Sequence, residues 1–491
     1  MVQQETYPRC GRLMATKKFY LTTTLPYVNA PPHIGFALEI VQADAIARYH
    51  RDVLKEEVFF NTGTDEHGVN IYRRALEEEK DPQAYADEYA AKFDRLKRAL
   101  NLSYTNFTRT TDPHHVAAAQ EFWRRCDKNG DIYKKNYEIK YCTGCELEKT
   151  DSELVDGRCP LHPTKTIEII NEENYFFRFS KYQKPLLELY ASRPDFVLPA
   201  HRLTEIRNFV EGGLVDFSIS RLKSKMPWGI PVPGDLEQVM YVWFDALINY
   251  ISTLGWPEDE TKFNEFWPGI QLAGKDNLRQ QSAIWQAMLI SAGLPNSKQI
   301  LIHGFITSGG EKMSKSLGNV VDPFSIVEKY GTDALRYFLL KEISTFGDGD
   351  FTIERFEEVY NADLANGLGN LVSRVMKMAV MAKIVIPDWD AAKVVRANPK
   401  ISRLMEEYQL DTVIYSIWEK ISWADAMIQK TEPFKILKVD RTKAEKDIIS
   451  LLKQLKEIAV MLQPFMPYTS DKIINAIIEN KKPENLFPRE D

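Results

Sequence analysis

Phe19-Tyr20-Leu21-Thr22-Thr23-Thr24 leads into the turn-rich stretch Leu25-Pro26-Tyr27-Val28-Asn29-Ala30-Pro31-Pro32, and then into His33-Ile34-Gly35-Phe36 at the head of a helical pattern. The β-branched and aromatic run reads as a strand. Proline and asparagine in the next stretch end it. Ile34, Leu38, Val41, Ala45 and Ile46 then recur at helical spacing. Val58-Phe59-Phe60 is a second short strand, ending at Asn61-Thr62-Gly63-Thr64-Asp65. Strand, loop, helix, strand is a βαβ unit. The expected fold is therefore α/β with a Rossmann-type parallel sheet, and ligands belong beyond the carboxyl ends of its strands.

Outward from this unit the rhythm breaks over 126–235, where a Cys/His cluster, aromatics and Pro/Gly turns read as an insert. It resumes with Tyr241-Val242-Trp243-Phe244, a helix around Ser282–Ala292 and the strand Gln299-Ile300-Leu301-Ile302-His303. Beyond about residue 353 the pattern is helical, and Ile448, Leu452, Leu455, Ala459 and Leu462 form one amphipathic stripe. A separate helical bundle is expected there.

Composition narrows the function classes. Across 491 residues, 63 Lys and Arg face 69 Asp and Glu, a net charge of −6. That excludes a globally basic nucleic-acid coat, so any polyanion site must be a local patch. A chain 44 % hydrophobic and 11 % aromatic is globular, not disordered. No apolar run approaches the roughly 18–20 residues that span a bilayer. Three of the five cysteines fall within 142–159, which argues against a disulfide scaffold and for a reducing, cytoplasmic setting. Residues 1–17 lack the apolar stretch of a secretory signal and read as a disordered extension upstream of a start at Met14, with an organellar presequence suggested by Arg9, Arg12, Lys17 and Lys18 as the alternative.

Two loops carry phosphate chemistry. His33 and Gly35 open a helix directly after a strand, where free N–H groups and the helix dipole suit a phosphate chain. A histidine there is equally a plain helix cap. Lys312-Met313-Ser314-Lys315-Ser316 follows Gly309-Gly310, so two lysines sit in a glycine-flanked loop after a strand. Such a loop can close over a polyphosphate and neutralise charge developing during group transfer. Elsewhere, Cys142-x₂-Cys145 and Cys159-x₂-His162 have the spacing of a tetrahedral Cys₃His zinc site. With all four positions filled by protein, the zinc would be structural.

Together with Gly63-Thr64-Asp65-Glu66-His67-Gly68, Tyr241–Ala246, Gly274-Lys275-Asp276 and His303-Gly304-Phe305, these loops resemble the signatures of class I aminoacyl-tRNA synthetases, and within that class the methionyl-tRNA synthetases. The resemblance runs from about Phe19 to the C-terminus. It implies activation of L-methionine by ATP with Mg²⁺, then transfer to the terminal adenosine of tRNA(Met), the initiator included. By resemblance His33, Gly35, Lys312 and Lys315 are catalytic, and Gly274, Lys275, Asp276 and His303 join them around ATP. Asp65 is expected at the methionine ammonium with Arg221 beside it, and Leu25, Tyr27, Trp243, Ala246, Tyr250, Gln281 and Trp285 at the side-chain pocket. Asn370, Arg374 and Phe434 match the anticodon-reading positions.

Two departures stand out. Phe36 replaces the second histidine of the first signature, and Gln280-Gln281 replaces the usual Phe-His before Trp285. The implied organisation is an extension over 1–17, catalytic halves over 18–125 and 236–325, a zinc-bearing connective insert over 126–235, a stem-contact segment over 326–355 and an anticodon-binding bundle over 356–491. No added C-terminal β-barrel is visible, so a monomer without membrane association is expected. The alternative is a synthetase-like tRNA-binding protein without catalysis.

Overall fold

The structure is a computed structural model and describes residues 17–145, 147–149, 153–313, 318–385, 393, 396 and 398–489. Its centre is a six-stranded sheet built from β1 (Lys18–Thr23), β2 (Glu57–Thr64), β3 (Asn106–Arg109), β4 (Val197–Leu198), β5 (Ile270–Gly274) and β6 (Gln299–His303). The strands lie in the order β3-β2-β1-β5-β6-β4, and every neighbouring pair is parallel. The winding reverses between β1 and β5, where Leu21 lies opposite Ile270. A ligand crevice belongs at that switch point, beyond Thr23 and Gly274.

Two strands differ from the sequence expectation for one reason. β2 continues through Asn61, Thr62 and Thr64, all buried, where polarity suggested a loop. The central strand β5 carries a fully buried Gln271 and shows too little apolar pattern to be recognised. In both, buried polar side chains are satisfied by other side chains. Thr23 donates to Thr62 at 2.8 Å, and Asn106 donates to Asn61 at 3.0 Å. A paired polar group is tolerated where an orphaned one would not be. The aromatic run at Tyr241–Phe244 is the start of a helix, Val242–Ala246, and is preceded by the strand Asp235–Met240.

The insert is a long antiparallel ribbon. Ile132–Cys142 pairs with Ile167–Phe177 from Ile132↔Phe177 to Cys142↔Ile167, so the cysteine cluster sits at its tip. The C-terminal region packs helices Asn370–Ala382, Leu410–Thr431, Arg441–Leu462 and Pro467–Ile478. Its stripe Ile448, Leu452, Leu455, Ala459 and Leu462 is buried, in a core continuous with that under β1. Among the described residues no helix is long and apolar enough to cross a membrane.

Helix α1 (Ile34–Arg48) is buried on nearly every face, including Glu39, Gln42 and Asp44. Asp44 is met by Arg336 of α2 (Thr332–Lys341) at 2.8 Å, by Arg48 at 2.7 Å and by the N–H and hydroxyl of Ser103, each at 2.6 Å. Burial alone would raise the Asp44 pKa, but Arg336, Arg48 and Ser103 outweigh it and hold it below the usual carboxylate value. Arg336 is fully buried and also donates to the carbonyls of Leu100, Pro464 and Phe465, tying the bundle to α1. Arg336→Met should destabilise the chain by about 3–5 kcal/mol in urea unfolding, because it leaves Asp44 buried and undercompensated. Arg336→Met with Asp44→Asn should lose less than the two single changes summed. Additive losses would show that the pair is not coupled.

Candidate active site

The crevice at the switch point is built from four strand ends, those of β1, β2, β5 and β6, and one helix start. His33 is the N-cap of α1, and its Nδ1 accepts from the Gly35 N–H at 3.0 Å. The cap and the phosphate reading are compatible. The cleft walls desolvate the ring and lower its pKa, so it is neutral at pH 7. With Nδ1 accepting, the proton sits on Nε2, where it is available to a ligand. Gly35 has a specific reason to be glycine: a Cβ there would lie 2.8 Å from the His33 ring. Phe36 points elsewhere and packs edge-on against Phe93, with centroids 5.3 Å apart.

Glu39, one turn further along α1, was not singled out by sequence. It accepts from the Thr24 N–H at 2.8 Å and the Thr24 hydroxyl at 2.6 Å, at the end of β1. Its other oxygen meets His303 Nε2 at 2.9 Å, at the end of β6. His303 Nδ1 faces the Gly304 carbonyl at 2.7 Å, so both ring nitrogens point at acceptors. Burial opposes charge on this ring, but Glu39 and the Gly304 carbonyl outweigh it and raise the pKa. Lys275, after β5, pairs with Asp348 at 2.6 Å and lies 4.4 Å from the Phe305 ring. A Cβ at Gly274 would stand 2.8 Å from Asp276 Oδ1, so a larger residue there would displace that carboxylate.

The second wall begins at the end of β2. Asp65 is buried, and its backbone pairs with the first loop: its N–H donates to the Pro26 carbonyl at 3.0 Å and its carbonyl accepts from Val28 at 3.2 Å. This brings Leu25 and Tyr27 beside it. Tyr27 meets Trp243 edge-on at 6.3 Å, and the buried Trp243 Nε1 has no hydrogen-bond partner among the described residues. Glu66, also unsuspected from sequence, anchors the Asp65 turn through Arg109 at 2.7 and 2.8 Å and through Thr64 at 2.6 Å. Ala246 and Tyr250 follow on the same segment as Trp243, and both are buried. Trp285 lies deeper, fully buried, stacked on Phe122 at 5.7 Å and edge-on to Tyr250 at 5.8 Å. Gln281 donates to the Tyr250 hydroxyl at 2.6 Å. Arg221 donates to Ser218 Oγ at 2.8 Å and the Ser220 carbonyl at 2.7 Å, beneath Tyr241, and lines a cavity of about 370 Å³ together with Gly68, Tyr241 and Val242.

Lys312 is exposed, on the mouth of the crevice, 5.9 Å from the Phe305 ring. Lys315 lies outside the described residues. At the ribbon tip, Cys142, Cys145, Cys159 and His162 place their ligand atoms within 4.8 Å of one another. Cys145 Sγ lies 3.4 Å from Cys159 Sγ and 3.2 Å from His162 Nδ1, while Cys142 Sγ lies 3.9 Å from His162 Nδ1. A tetrahedral ion with bonds of about 2.0–2.3 Å separates its ligands by roughly 3.5–3.8 Å, so this cluster can hold a metal ion. Gly144 makes the turn possible, since a Cβ there would come within 2.4 Å of the His162 ring.

Far from the crevice, Asn370 begins a bundle helix and is exposed, and Arg374 on the next turn pairs with Asp425. Phe434 is 44 % exposed.

The family model described as tRNA synthetases class I (M) matches residues 19–167 and 153–376. A methionine–tRNA ligase of Thermosynechococcus vestitus is 43 % identical, over 93 % of this chain and 89 % of its own length. The chain belongs to the methionyl-tRNA synthetase family. A chloroplastic/mitochondrial methionine–tRNA ligase of Arabidopsis thaliana is 41 % identical, over 94 % of this chain and 77 % of its own. The fold agrees: the Mycobacterium tuberculosis methionyl-tRNA synthetase in complex with methionyl-adenylate superposes with a TM-score of 0.89 and 34 % identity, over 96 % of this chain and all of that one. In this chain the ends of β1 and β6 are joined across the crevice by the Glu39–His303 pair.

That pair has a pH signature. A histidine whose pKa is raised on folding contributes stability that is complete below its ordinary 6.5 and is lost as pH rises through the raised value. Glu39→Gln should therefore flatten the fall in thermal stability above pH 6.5; an unchanged slope between pH 6 and 9 would remove the pair from the account. Cys145→Ser should release the metal ion in elemental analysis and expose the ribbon tip to proteolysis. Retention of one ion per chain would exclude this cluster as its site.

Proposed function

We propose that this chain activates L-methionine with ATP to methionyl-adenylate and pyrophosphate, then transfers methionine to the 3′-terminal adenosine of tRNA(Met), initiator and elongator alike. The observation that carries this reading is the neutral His33 at the start of α1, at the switch point of the parallel sheet, with Asp65 and an aromatic wall across the crevice. His33 Nε2–H and the first N–H groups of α1 would bind the phosphates. Lys312 and Lys315 would close over them, and Lys275, Asp276 and His303 would hold the nucleoside end.

Asp65 would accept from the methionine ammonium, with Arg221 behind it as the more distant partner. The methionine carboxylate attacks the α-phosphorus and pyrophosphate leaves. No protein nucleophile is required, so the residues act by positioning and by neutralising charge on phosphate oxygens. Mg²⁺ arrives with ATP and supplies further charge on its phosphates. Tyr27, Trp243, Ala246 and Tyr250 would enclose the thioether by shape and polarizability.

Zinc is the ion that the Cys₃His donor set favours, and it would hold the ribbon tip folded. Asn370 and Arg374 would read anticodon base edges and Phe434 would stack on a base. Arg374 would first leave Asp425. The expected division is catalysis over 18–125 and 236–325, the insert over 126–235 except that β4 (Val197–Leu198) within that range joins the catalytic sheet, the stem contact over 326–355 and RNA reading over 356–491, in a cytoplasmic monomer.

Methionine-dependent ATP–pyrophosphate exchange tests the reading, and a folded chain without exchange would favour a non-catalytic tRNA-binding protein. Lys315→Ala should lower the exchange rate by about two to three orders of magnitude, the scale of a lost transition-state charge contact, with methionine affinity nearly unchanged. An unaltered rate would exclude Lys315 from the chemistry.

A further inference from the structure

Two residues beyond Asp65, and two beyond Trp243, stands a buried titratable group that the proposed chemistry does not use. Asp245 sits in the short helix Val242–Ala246 with its side chain wholly buried. His67 lies in the turn after β2, and its Nδ1 is 3.2 Å from Asp245 Oδ2. Among the described residues no backbone N–H and no other side chain donates to either Asp245 oxygen. Burial raises the Asp245 pKa, and His67 opposes that rise. His115 supplies no countercharge. It is fully buried with Nδ1 3.0 Å from Ser252 Oγ, and burial, with His67 and His114 adding to it, pushes its pKa down to about 3. The Asp245 carboxylate therefore depends on His67.

Asp65-Glu66-His67 and Trp243-Phe244-Asp245 thus meet at their third residues. The other ties of the Asp65 turn run elsewhere. Asp65 pairs through its backbone with Pro26 and Val28, and Glu66 accepts from Thr64, Arg109 and Thr111. Trp228 Nε1 donates to the Glu66 carbonyl at 2.6 Å, and the Trp228 ring lies against His67 with centroids 5.6 Å apart. These contacts hold the turn to the first loop, to the end of β3 and to Trp228. His67 carries it across to the helix that bears Trp243. The far end of that segment is fixed separately, where Asn61 of β2 donates to Asn249 at 3.2 Å.

We infer that His67 and Asp245 are positioning residues for the amino acid, their contact setting the gap between the Asp65 carboxylate and the Trp243 indole. The inference rests on the methionine reading above, in which the ammonium goes to Asp65 and the side chain lies against Trp243. A ligand held at both ends needs those ends at a fixed separation, and a misplacement of about 1 Å at one end loses contact at the other. A buried carboxylate with one partner suits this task, because leaving that partner is costly. The phosphate side of the crevice is set by other groups: His33 caps α1, and Glu39 holds His303. The brace therefore acts on methionine and leaves ATP alone.

The experiment measures ATP–pyrophosphate exchange with the full chain, varying methionine at saturating ATP and ATP at saturating methionine. His67→Leu removes the ring nitrogen. It should raise KM for methionine about tenfold, the scale of one charge-assisted hydrogen bond, with kcat and KM for ATP nearly unchanged. His67→Asn, whose amide can donate from near the Nδ1 position, should return KM close to that of the unaltered chain. Should His67→Leu fail to fold in thermal melts because it strands Asp245, His67→Leu with Asp245→Leu takes its place. That apolar pair keeps the packing without a buried charge and should show the same raised KM. A rise in KM for both substrates together with a fall in kcat would mean a general structural role and would overturn the inference. So would an unchanged KM for methionine, or no recovery with His67→Asn. Absence of methionine-dependent exchange in the unaltered chain would instead overturn the parent reading.

Discussion

A carboxylate that has no route to water must be neutralised where it lies, and Asp44 on α1 is in that position. Arg336 reaches it from α2 and extends the same guanidinium to the carbonyls that end the helix Arg441–Leu462 region, at Pro464 and Phe465. The first helix of the sheet domain and the turn between the bundle helices Arg441–Leu462 and Pro467–Ile478 are thus held by one cation. Because α1 is buried on nearly every side, its axis cannot shift without breaking this network. Its N-terminus, with His33, is consequently held at a set height above the sheet.

The same device recurs at each corner of the crevice. Glu39 joins the ends of β1 and β6 through Thr24 and His303, and Glu66 joins the ends of β2 and β3 through Thr64 and Arg109. Buried charge is a poor source of net stability compared with apolar packing. Its geometric demands are nevertheless strict, since each oxygen needs a donor at a defined place. Two paired carboxylates therefore fix where four strand ends sit.

Legibility from the sequence divides along physical lines. The opening strand and α1, the strand at Gln299–His303, the Cys₃His cluster and the amphipathic stripe of the bundle all announce themselves by local pattern or ligand spacing. β5 escapes because a buried Gln271 interrupts its apolar run, and β2 looks shorter than it is because Asn61, Thr62 and Thr64 are paired side chain to side chain. Glu39 and Glu66 look like ordinary helix and loop carboxylates until their partners, hundreds of residues away for His303, are in place. Trp285 is a core residue behind the wall, and Arg221 is engaged by Ser218 and the Ser220 carbonyl; neither fact has a local signature.

By itself the sequence determined the βαβ opening, the ligand spacing of the Cys₃His cluster and the signature loops that mark the family, because each depends on residues near one another along the chain. Periodicity, turn residues and ligand spacing are local properties, and they survive without knowledge of the fold. Only the tertiary structure decided which buried polar groups meet, and hence the proton on His33 Nε2 and the raised pKa of His303. Those depend on partners far apart in sequence, and a hydrogen bond acquires a direction only when both of its ends, and their other partners, are in place.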